Sequence, residues 1–256
     1  MSRYYLYVFA LAAPLALGAC TTDLISQEGS AGGYKAFEAV KAGDAILNRP
    51  GPADNATAAR YYKKAAVLGG SWGQYKYANM LLDGKGVPQN KAAAADYYAK
   101  AAEQDNAWAQ LRLGEMYSDG NGVTKDSARA LELLTKSAAQ KNAWAQFRLG
   151  EIYLDGTGTP KNVDRGVKNL TLSADQDNQW AQLRLGKLYV DGTGVKKDVS
   201  RGQKYLEQSA KQGNAFAQVA LANLIYSTDP NRAKELLQTA AKAGDKTAIK
   251  RLREIK

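Results

Sequence analysis

The chain contains no histidine and a single cysteine, Cys20. Without histidine it lacks the commonest general base near neutral pH, the Ser–His and Cys–His nucleophile pairs, and the usual metal sites. We therefore expect a protein that is not an enzyme and that uses no cofactor or metal. Paired carboxylates remain as a catalytic alternative, with Glu115 and Glu151 at equivalent positions. The neighbouring Arg112 and Arg148 should lower the pKa of both, which disfavours a role as a lytic acid.

Long apolar segments are also missing. The run from Tyr4 to Leu17 is too short to be a good membrane span, and it follows a cationic start. It ends in Leu17-Gly18-Ala19-Cys20, so we predict that residues 1–19 are a signal peptide. These four residues resemble the bacterial lipobox, which implies cleavage before Cys20 and lipid attachment to it. The alternative is an ordinary secretory signal followed by an unpaired cysteine.

The residue after Cys20 is Thr21. In lipoproteins, aspartate at this position is the signal for retention in the inner membrane. We therefore expect the protein to be lipid-anchored in the outer membrane and to face the periplasm. Residues 20–32 are rich in Ser, Thr and Gly and are predicted to form a flexible tether.

Acidic residues are fewer than basic ones. Removing residues 1–19 takes away Arg3 and no acid, which leaves 34 basic and 25 acidic residues and a net charge of +9. A basic surface attracts anionic partners, which here are acidic polysaccharide, lipid headgroups or an acidic protein. Nucleic acid is not expected as a partner, because an exported and tethered chain does not meet it.

Tryptophan is rare and strictly periodic. WAQLRLGEMYSDGNGV begins at Trp108, and near copies begin at Trp144 and Trp180, each 36 residues after the one before; Trp72 lies on the same lattice. Within one copy the apolar residues fall on one helix face, and Gly120 is placed to cap that helix. The second helix of each repeat has an Asp or Asn as its predicted N-cap: Asp54, Asn90, Asp126, Asn162, Asp198 and Asp229.

The pattern predicts an all-α fold, an α-solenoid of 36-residue helix-turn-helix repeats over residues 33–256. Five repeats are predicted at about 71–106, 107–142, 143–178, 179–214 and 215–245. A diverged helix pair should precede them at about 33–68. A polar, basic capping helix should follow at 246–256, since terminal repeats need a soluble outer face.

The motif residues resemble the Sel1-like repeat, a relative of the tetratricopeptide repeat. The pattern A-Q-x-x-L-G-x-x-Y followed by G-x-G-V stands at residues 109–117 and 120–123, and K-A-A closes a second helix at residues 100–102. The resemblance implies a protein that scaffolds complexes. Sel1-like lipoproteins are also known in bacterial exopolysaccharide secretion, the alginate-export lipoprotein among them.

Each first helix carries a second stripe beside its core face, an aromatic residue followed four positions later by a cation. The candidate binding residues are Trp72, Lys76, Trp108, Arg112, Trp144, Arg148, Trp180 and Arg184. If the first helices line a groove, these residues would form aromatic platforms with interleaved cations. The alternative is a structural ladder, in which each Trp packs over the next repeat and the cation covers its ring.

We expect a non-catalytic periplasmic scaffold lipoprotein that holds envelope proteins, such as an export pore or polymer-modifying proteins, in exopolysaccharide assembly or secretion. Two alternatives stay open. The first is a periplasmic regulator that binds a sensor kinase. The second is a direct binder of anionic polysaccharide or peptidoglycan.

Overall fold

The computed structural model describes residues 31–255, and throughout this range the chain forms α-helices joined by turns, without a strand. The predicted signal peptide and Cys20 lie outside the described residues. The helices are α1 (Ala31–Leu47), α2 (Asn55–Val67), α3 (Ser71–Asp83), α4 (Lys91–Ala102), α5 (Ala107–Asp119), α6 (Ser127–Ala139), α7 (Ala143–Asp155), α8 (Val163–Ala174), α9 (Gln179–Asp191), α10 (Val199–Lys211), α11 (Ala215–Ile225), α12 (Pro230–Lys242) and α13 (Lys246–Glu254). No helix between residues 31 and 255 is both long enough and apolar enough to cross a bilayer.

The described helices belong to two compact units that divide after Gln89. In the first unit α1, α2 and α3 pack on one another. In the second unit each first helix packs on the second helix of its own repeat and on that of the preceding repeat, from α4 to α12, and α13 covers α12. The predicted all-α solenoid of helix-turn-helix repeats is confirmed.

Side-chain caps fix where the helices begin. All six predicted Asp and Asn residues accept backbone N–H groups at the start of second helices. The first helices begin with a cap of the same kind, which was not predicted from the sequence: Asn106, Asn142, Asn178 and Asn214. These asparagines are buried, whereas the second-helix caps Asp54, Asn90 and Asp198 are exposed. Gly120 ends α5 in the left-handed conformation, as predicted.

Close packing of the two helices in a repeat depends on a glycine in the first. A Cβ added to Gly150 would lie 2.7 Å from Leu170 Cγ, and a Cβ on Gly186 would lie equally close to Leu206 Cγ. Both leucines are almost completely buried. A methyl group at either glycine would therefore push the helices of that repeat apart.

The buried side of the second helices contains a polar residue. Ala130 and Leu134 of α6 are buried, Leu131 and Ala138 are only partly buried, and Ser137 is completely buried. Its hydroxyl donates to the carbonyl oxygen of Ala107 at 2.7 Å, so the polar group is satisfied inside the core. The equivalent serines, Ser173 and Ser209, do the same with residues 143 and 179.

A buried glutamine joins consecutive repeats. The Nε2 of Gln146 donates to the carbonyl oxygen of Ala138 at the end of α6, and its Oε1 accepts from Gln176 at 2.7 Å. Gln110, Gln182 and Gln218 also donate eight residues back to the carbonyls of residues 102, 174 and 210. The side chain lies near the N-terminus of its helix, where the preceding repeat ends.

The hydroxyl of Ser173 gives a direct test of this core. Ser173→Ala removes the hydrogen bond from a completely buried hydroxyl to the carbonyl of Ala143, so the free energy of unfolding should fall by about 1 kcal/mol in urea titrations. Thr135→Ala is the matched control, because its exposed hydroxyl bonds only within α6. The control should change stability by less than about 0.5 kcal/mol. Equal losses in the two variants would contradict the role of the buried serine.

Candidate functional site

The tryptophans of the predicted stripe lie against the apolar core of the repeats. Trp108 and Trp144 pack on a cluster formed by Leu111, Leu134 and Leu149 with Ala145. Trp180 packs on the core cluster that contains Leu206 and Leu221, and its ring centroid lies 5.7 Å from that of Phe216 in the next repeat. Each ring is partly buried. The packing part of the predicted structural ladder is therefore present, while some ring surface still faces solvent.

The first unit contains its own version of the site. Trp72 packs on a small cluster around Val40, and its Nε1 is buried with no acceptor among the described residues. Lys76 Nζ lies 2.8 Å from Asp44 Oδ1 and 5.5 Å from the ring of Tyr62. The Tyr62 hydroxyl donates to the same carboxylate oxygen at 2.6 Å. The cation at this position is thus held by an acid from the preceding helix pair.

The second unit repeats this arrangement with arginine and glutamate. Glu115 accepts from Arg112 of its own helix at 3.2 Å, and its other oxygen lies 3.3 Å from Arg148 Nε of the next repeat. Glu151 accepts from Arg184 Nε at 2.8 Å. Arg184 also lies 3.6 Å from Asp155. Each candidate cation of the second unit therefore contacts a carboxylate, and Arg148 and Arg184 contact one from the preceding repeat.

The acidic partners could have been found from spacing. Glu115 precedes Arg148 by 33 residues, and Glu151 precedes Arg184 by the same interval, which is one repeat less one helical turn. From the sequence, each glutamate was expected beside the arginine of its own helix, and the cations were expected either to serve a ligand or to cover the tryptophan rings. The linkage across repeats appears only once neighbouring first helices are placed side by side.

The environment of Glu151 corrects one expectation. Nearby arginines were expected to lower its pKa, but burial raises the pKa above its ordinary value of 4.5 and outweighs the opposing effects of Arg184 and Arg148. The carboxylate side chain retains 19% of its exposure. A raised pKa suits a catalytic acid, yet this carboxylate is already bonded to a guanidinium, as is that of Glu115.

Charges on this part of the second unit nearly cancel. Arg112, Arg148 and Arg184 stand opposite Glu115, Glu151 and Asp155. We call the row formed by these six residues and by Trp108, Trp144 and Trp180 the first-helix face. It combines partly buried aromatic rings with ion pairs, and such a mixed surface is better suited to a protein than to a polyanion.

A second repeated contact was missed. In three repeats the third residue after the second-helix cap is an arginine that stacks on the last tyrosine of the first helix. The distances from guanidinium carbon to ring centroid are 5.6 Å for Arg129 over Tyr117 and 4.3 Å for Arg201 over Tyr189. Arg165 makes the same contact with Tyr153. These cation–π pairs tie the two helices of a repeat together near their connecting loop.

Replacing a tryptophan of the first-helix face by alanine tests how much its packing contributes to stability. Trp144→Ala is expected to lower the free energy of unfolding by roughly 2–4 kcal/mol, because the ring packs on the Leu149 cluster and meets Phe147 edge to face. Phe216→Ala is the control, since its side chain is 42% exposed and should lose less than half as much. Urea unfolding followed by circular dichroism compares the two. An unchanged midpoint for Trp144→Ala would show that the ring is not needed for packing.

The raised pKa of Glu151 gives a prediction with a definite sign. A carboxyl group with a raised pKa in the folded state binds protons more readily there than in the unfolded chain. The stability of the wild type relative to Glu151→Gln should therefore increase as the pH falls from above the folded pKa towards 4.5. Glu132→Gln is the control of opposite sign, because Lys136 lowers the pKa of Glu132 on the exposed face of α6. Denaturant titrations across this pH range test both, and a pH-independent difference for Glu151→Gln would contradict the prediction.

The sequence profile of the Sel1 repeat matches residues 43–69, 73–106, 109–142, 145–178, 181–214 and 215–245. The boundaries follow the observed helix pairs, and one match begins within α1, where the sequence had indicated only a diverged pair. No curated protein sequence matches the chain.

Several solved structures share the fold. A Sel1 repeat protein from Oxalobacter formigenes has 30% identity and a TM-score of 0.68, over 78% of this chain and 87% of that one. A protective antigen of uropathogenic Escherichia coli with an SLR fold has 28% identity and a TM-score of 0.71, over 91% of this chain and 51% of that one. This chain thus spans about half the length of the antigen structure. An immunity protein from Pseudomonas aeruginosa, at 20% identity, a TM-score of 0.56 and 81% coverage of both chains, shares the fold.

Sel1 repeats commonly mediate protein–protein interactions, and the fold is typically a non-catalytic interaction scaffold. Six matched repeats cover most of the sequence and coincide with the helix pairs of the structure. The chain belongs to the Sel1 repeat family.

Proposed function

We propose that this protein is a non-catalytic scaffold of the cell envelope, anchored by a lipid on Cys20, that binds protein partners through the first-helix face of its second unit. The proposal gives it a part in the assembly or secretion of an exopolysaccharide. Membership of the Sel1 repeat family supports the scaffold role. The lipobox-like residues 17–20 and the Thr21 that follows support the outer-membrane location.

The observation that carries the proposed binding surface is the combination of aromatic and ionic rows on consecutive first helices. A partner helix or extended segment laid across α5, α7, α9 and α11 would meet an aromatic residue in each repeat. Packed helices lie about 8–10 Å apart, so such contacts would recur at about that interval. Repetition of one weak contact along a rigid array gives specificity for a partner of matching length and register.

The balance of charge favours a protein partner over an acidic polymer. Binding to a polyanion gains most of its energy from unpaired cations that replace counterions. On the first-helix face the arginines are bonded to Glu115, Glu151 and Asp155, so a polyanion would have to compete with carboxylates that are already in place. Exposed residues beside the row, such as Lys187 and Phe216, are available to a partner surface.

Affinity capture from crosslinked membranes tests the proposal. The test variant combines Lys187→Glu with Phe216→Ala, because truncating Arg184 would leave the buried Glu151 without its partner and would disturb the fold. If the face binds, the variant should recover partner proteins at a level roughly tenfold or more below the wild type. The matched control is Lys204→Glu with Leu172→Ala, on the second helices, where Leu172 is 44% exposed.

The identity of the captured material decides between the proposal and its alternatives. An export pore or polymer-modifying proteins, lost in the first-helix variant and retained in the control, would support the scaffold in exopolysaccharide secretion. Capture of a sensor kinase would favour the regulator. Recovery of polysaccharide without protein would favour a carbohydrate-binding role, and equal recovery in both variants would move the binding surface away from the first helices.

A further inference from the structure

The outer face of α2 in the first unit carries exposed apolar and basic side chains together. Val67 is 72% exposed, which is the highest value among the large hydrophobic residues that the structure describes. Tyr61 and Leu68 are exposed beside it, as are Arg60, Lys63 and Lys64. Because apolar side chains of this size are usually covered, their grouping with cations indicates a surface that is used.

The two faces of α2 are sharply separated. At about 100° per residue, Arg60, Lys63, Lys64 and Val67 fall within an arc of about 100°. The opposite arc holds the buried residues Ala58, Ala59, Tyr62, Ala65 and Ala66. The basic arc therefore points away from the core of the first unit, and Tyr61 and Leu68 flank it on one side.

The cations on this face have no acidic neighbour in the helix. α2 contains Arg60, Lys63 and Lys64 and no Asp or Glu, and no ion pair within residues 31–255 involves these three cations. The second helices of the later repeats differ. In α6, for example, Lys136 is paired with Glu132 at 2.7 Å. The N-cap carboxylate of Asp54 attracts Arg60, so among the described residues the face carries three cations against this one nearby acid and forms no salt bridge.

The proposed lipid anchor limits how far this face can lie from a bilayer. Eleven residue steps separate Cys20 from Ala31, the first residue of α1, and a fully extended chain of that length spans about 36–40 Å. α1 is about 25 Å long and packs directly against α2. Both distances bring α2 within reach of the membrane surface to which Cys20 would be attached.

We infer that the outer face of α2 docks on the surface of a bilayer that contains anionic lipid. Arg60, Lys63 and Lys64 contact phosphate headgroups, and Val67 and Leu68 enter the boundary between headgroups and acyl chains. The inference rests on the proposed lipid anchor, because the tether supplies the high local concentration at which a small patch can bind. Each cation near an anionic surface strengthens binding roughly fivefold, so three together account for about a hundredfold.

A fluorescent amino acid in place of Val67 reports docking in the full lipidated protein. The protein is reconstituted in vesicles of phosphatidylcholine alone and in vesicles that also contain phosphatidylglycerol, and quenching by acrylamide, a neutral solute, measures exposure of the probe. Docking predicts several-fold weaker quenching in the anionic vesicles. High salt should restore the quenching, because it shortens the range of the attraction.

Two triple variants separate the α2 face from general positive charge. Arg60→Gln with Lys63→Gln and Lys64→Gln should weaken docking by about a hundredfold and return the probe to full quenching. Lys161→Gln with Lys196→Gln and Lys197→Gln removes the same charge from exposed turns of the second unit and should leave protection unchanged. Equal quenching in the two kinds of vesicle, or equal effects of the two triple variants, would overturn the inference.

Flotation of the same samples distinguishes this inference from the proposed anchor. Flotation with phosphatidylcholine vesicles depends on the lipid at Cys20 alone. A protein that floats with these vesicles, but whose probe is not protected by phosphatidylglycerol, keeps its anchor and refutes docking by α2. Protection without flotation on phosphatidylcholine supports docking and refutes the anchor, and absence of both refutes both.

Discussion

The array depends on the buried glutamine at the fourth position of each first helix. Gln146 donates to the carbonyl of Ala138 in the preceding second helix and accepts from Gln176 of its own repeat, so one side chain joins three segments of chain. Burying its amide without these hydrogen-bond partners would lower the stability of the fold. A repeat can therefore pack on its neighbour in one register only. That register also determines which residues meet in the ion pairs and aromatic contacts between repeats.

The ion pairs on the first-helix face illustrate this dependence. A glutamate meets an arginine 33 residues later only because successive first helices are held side by side with a fixed offset. The apolar core and the buried glutamines between repeats set this offset, because partly exposed ion pairs are too weak to set it themselves. The same register places Trp180 against Phe216. The first-helix face is thus a consequence of the repeat packing. A substitution that alters the glutamine contacts between repeats would therefore also change how this face binds a partner.

Most of the fold could be predicted because local signals repeat every 36 residues. The Asp and Asn caps, the cap glycines and the apolar stripes each indicated the same helix boundaries, and the structure follows them. The buried Ser137 and the first-helix cap Asn106 were missed because the type of a polar residue does not indicate whether it is buried. Its burial depends on hydrogen-bond partners and on packing that become visible only in the structure. The ionic partners of Arg148 and Arg184 were missed for the same reason, and the raised pKa of Glu151 depends on burial that no spacing reveals.

The distribution of charge separates two kinds of binding within one chain. On the first-helix face each cation contacts a carboxylate, so long-range attraction is weak and selection must come from shape and from the aromatic rows. On α2 the cations lack such partners, and attraction to an anionic surface acts over a Debye length of about 8 Å without requiring a defined fit. The first-helix face is therefore suited to recognising one protein, whereas the outer face of α2 is suited to a fluid surface such as a bilayer. A scaffold that is anchored by lipid has a use for both, because docking through α2 would hold the first unit at the membrane and the first-helix face of the second unit would bind a protein partner.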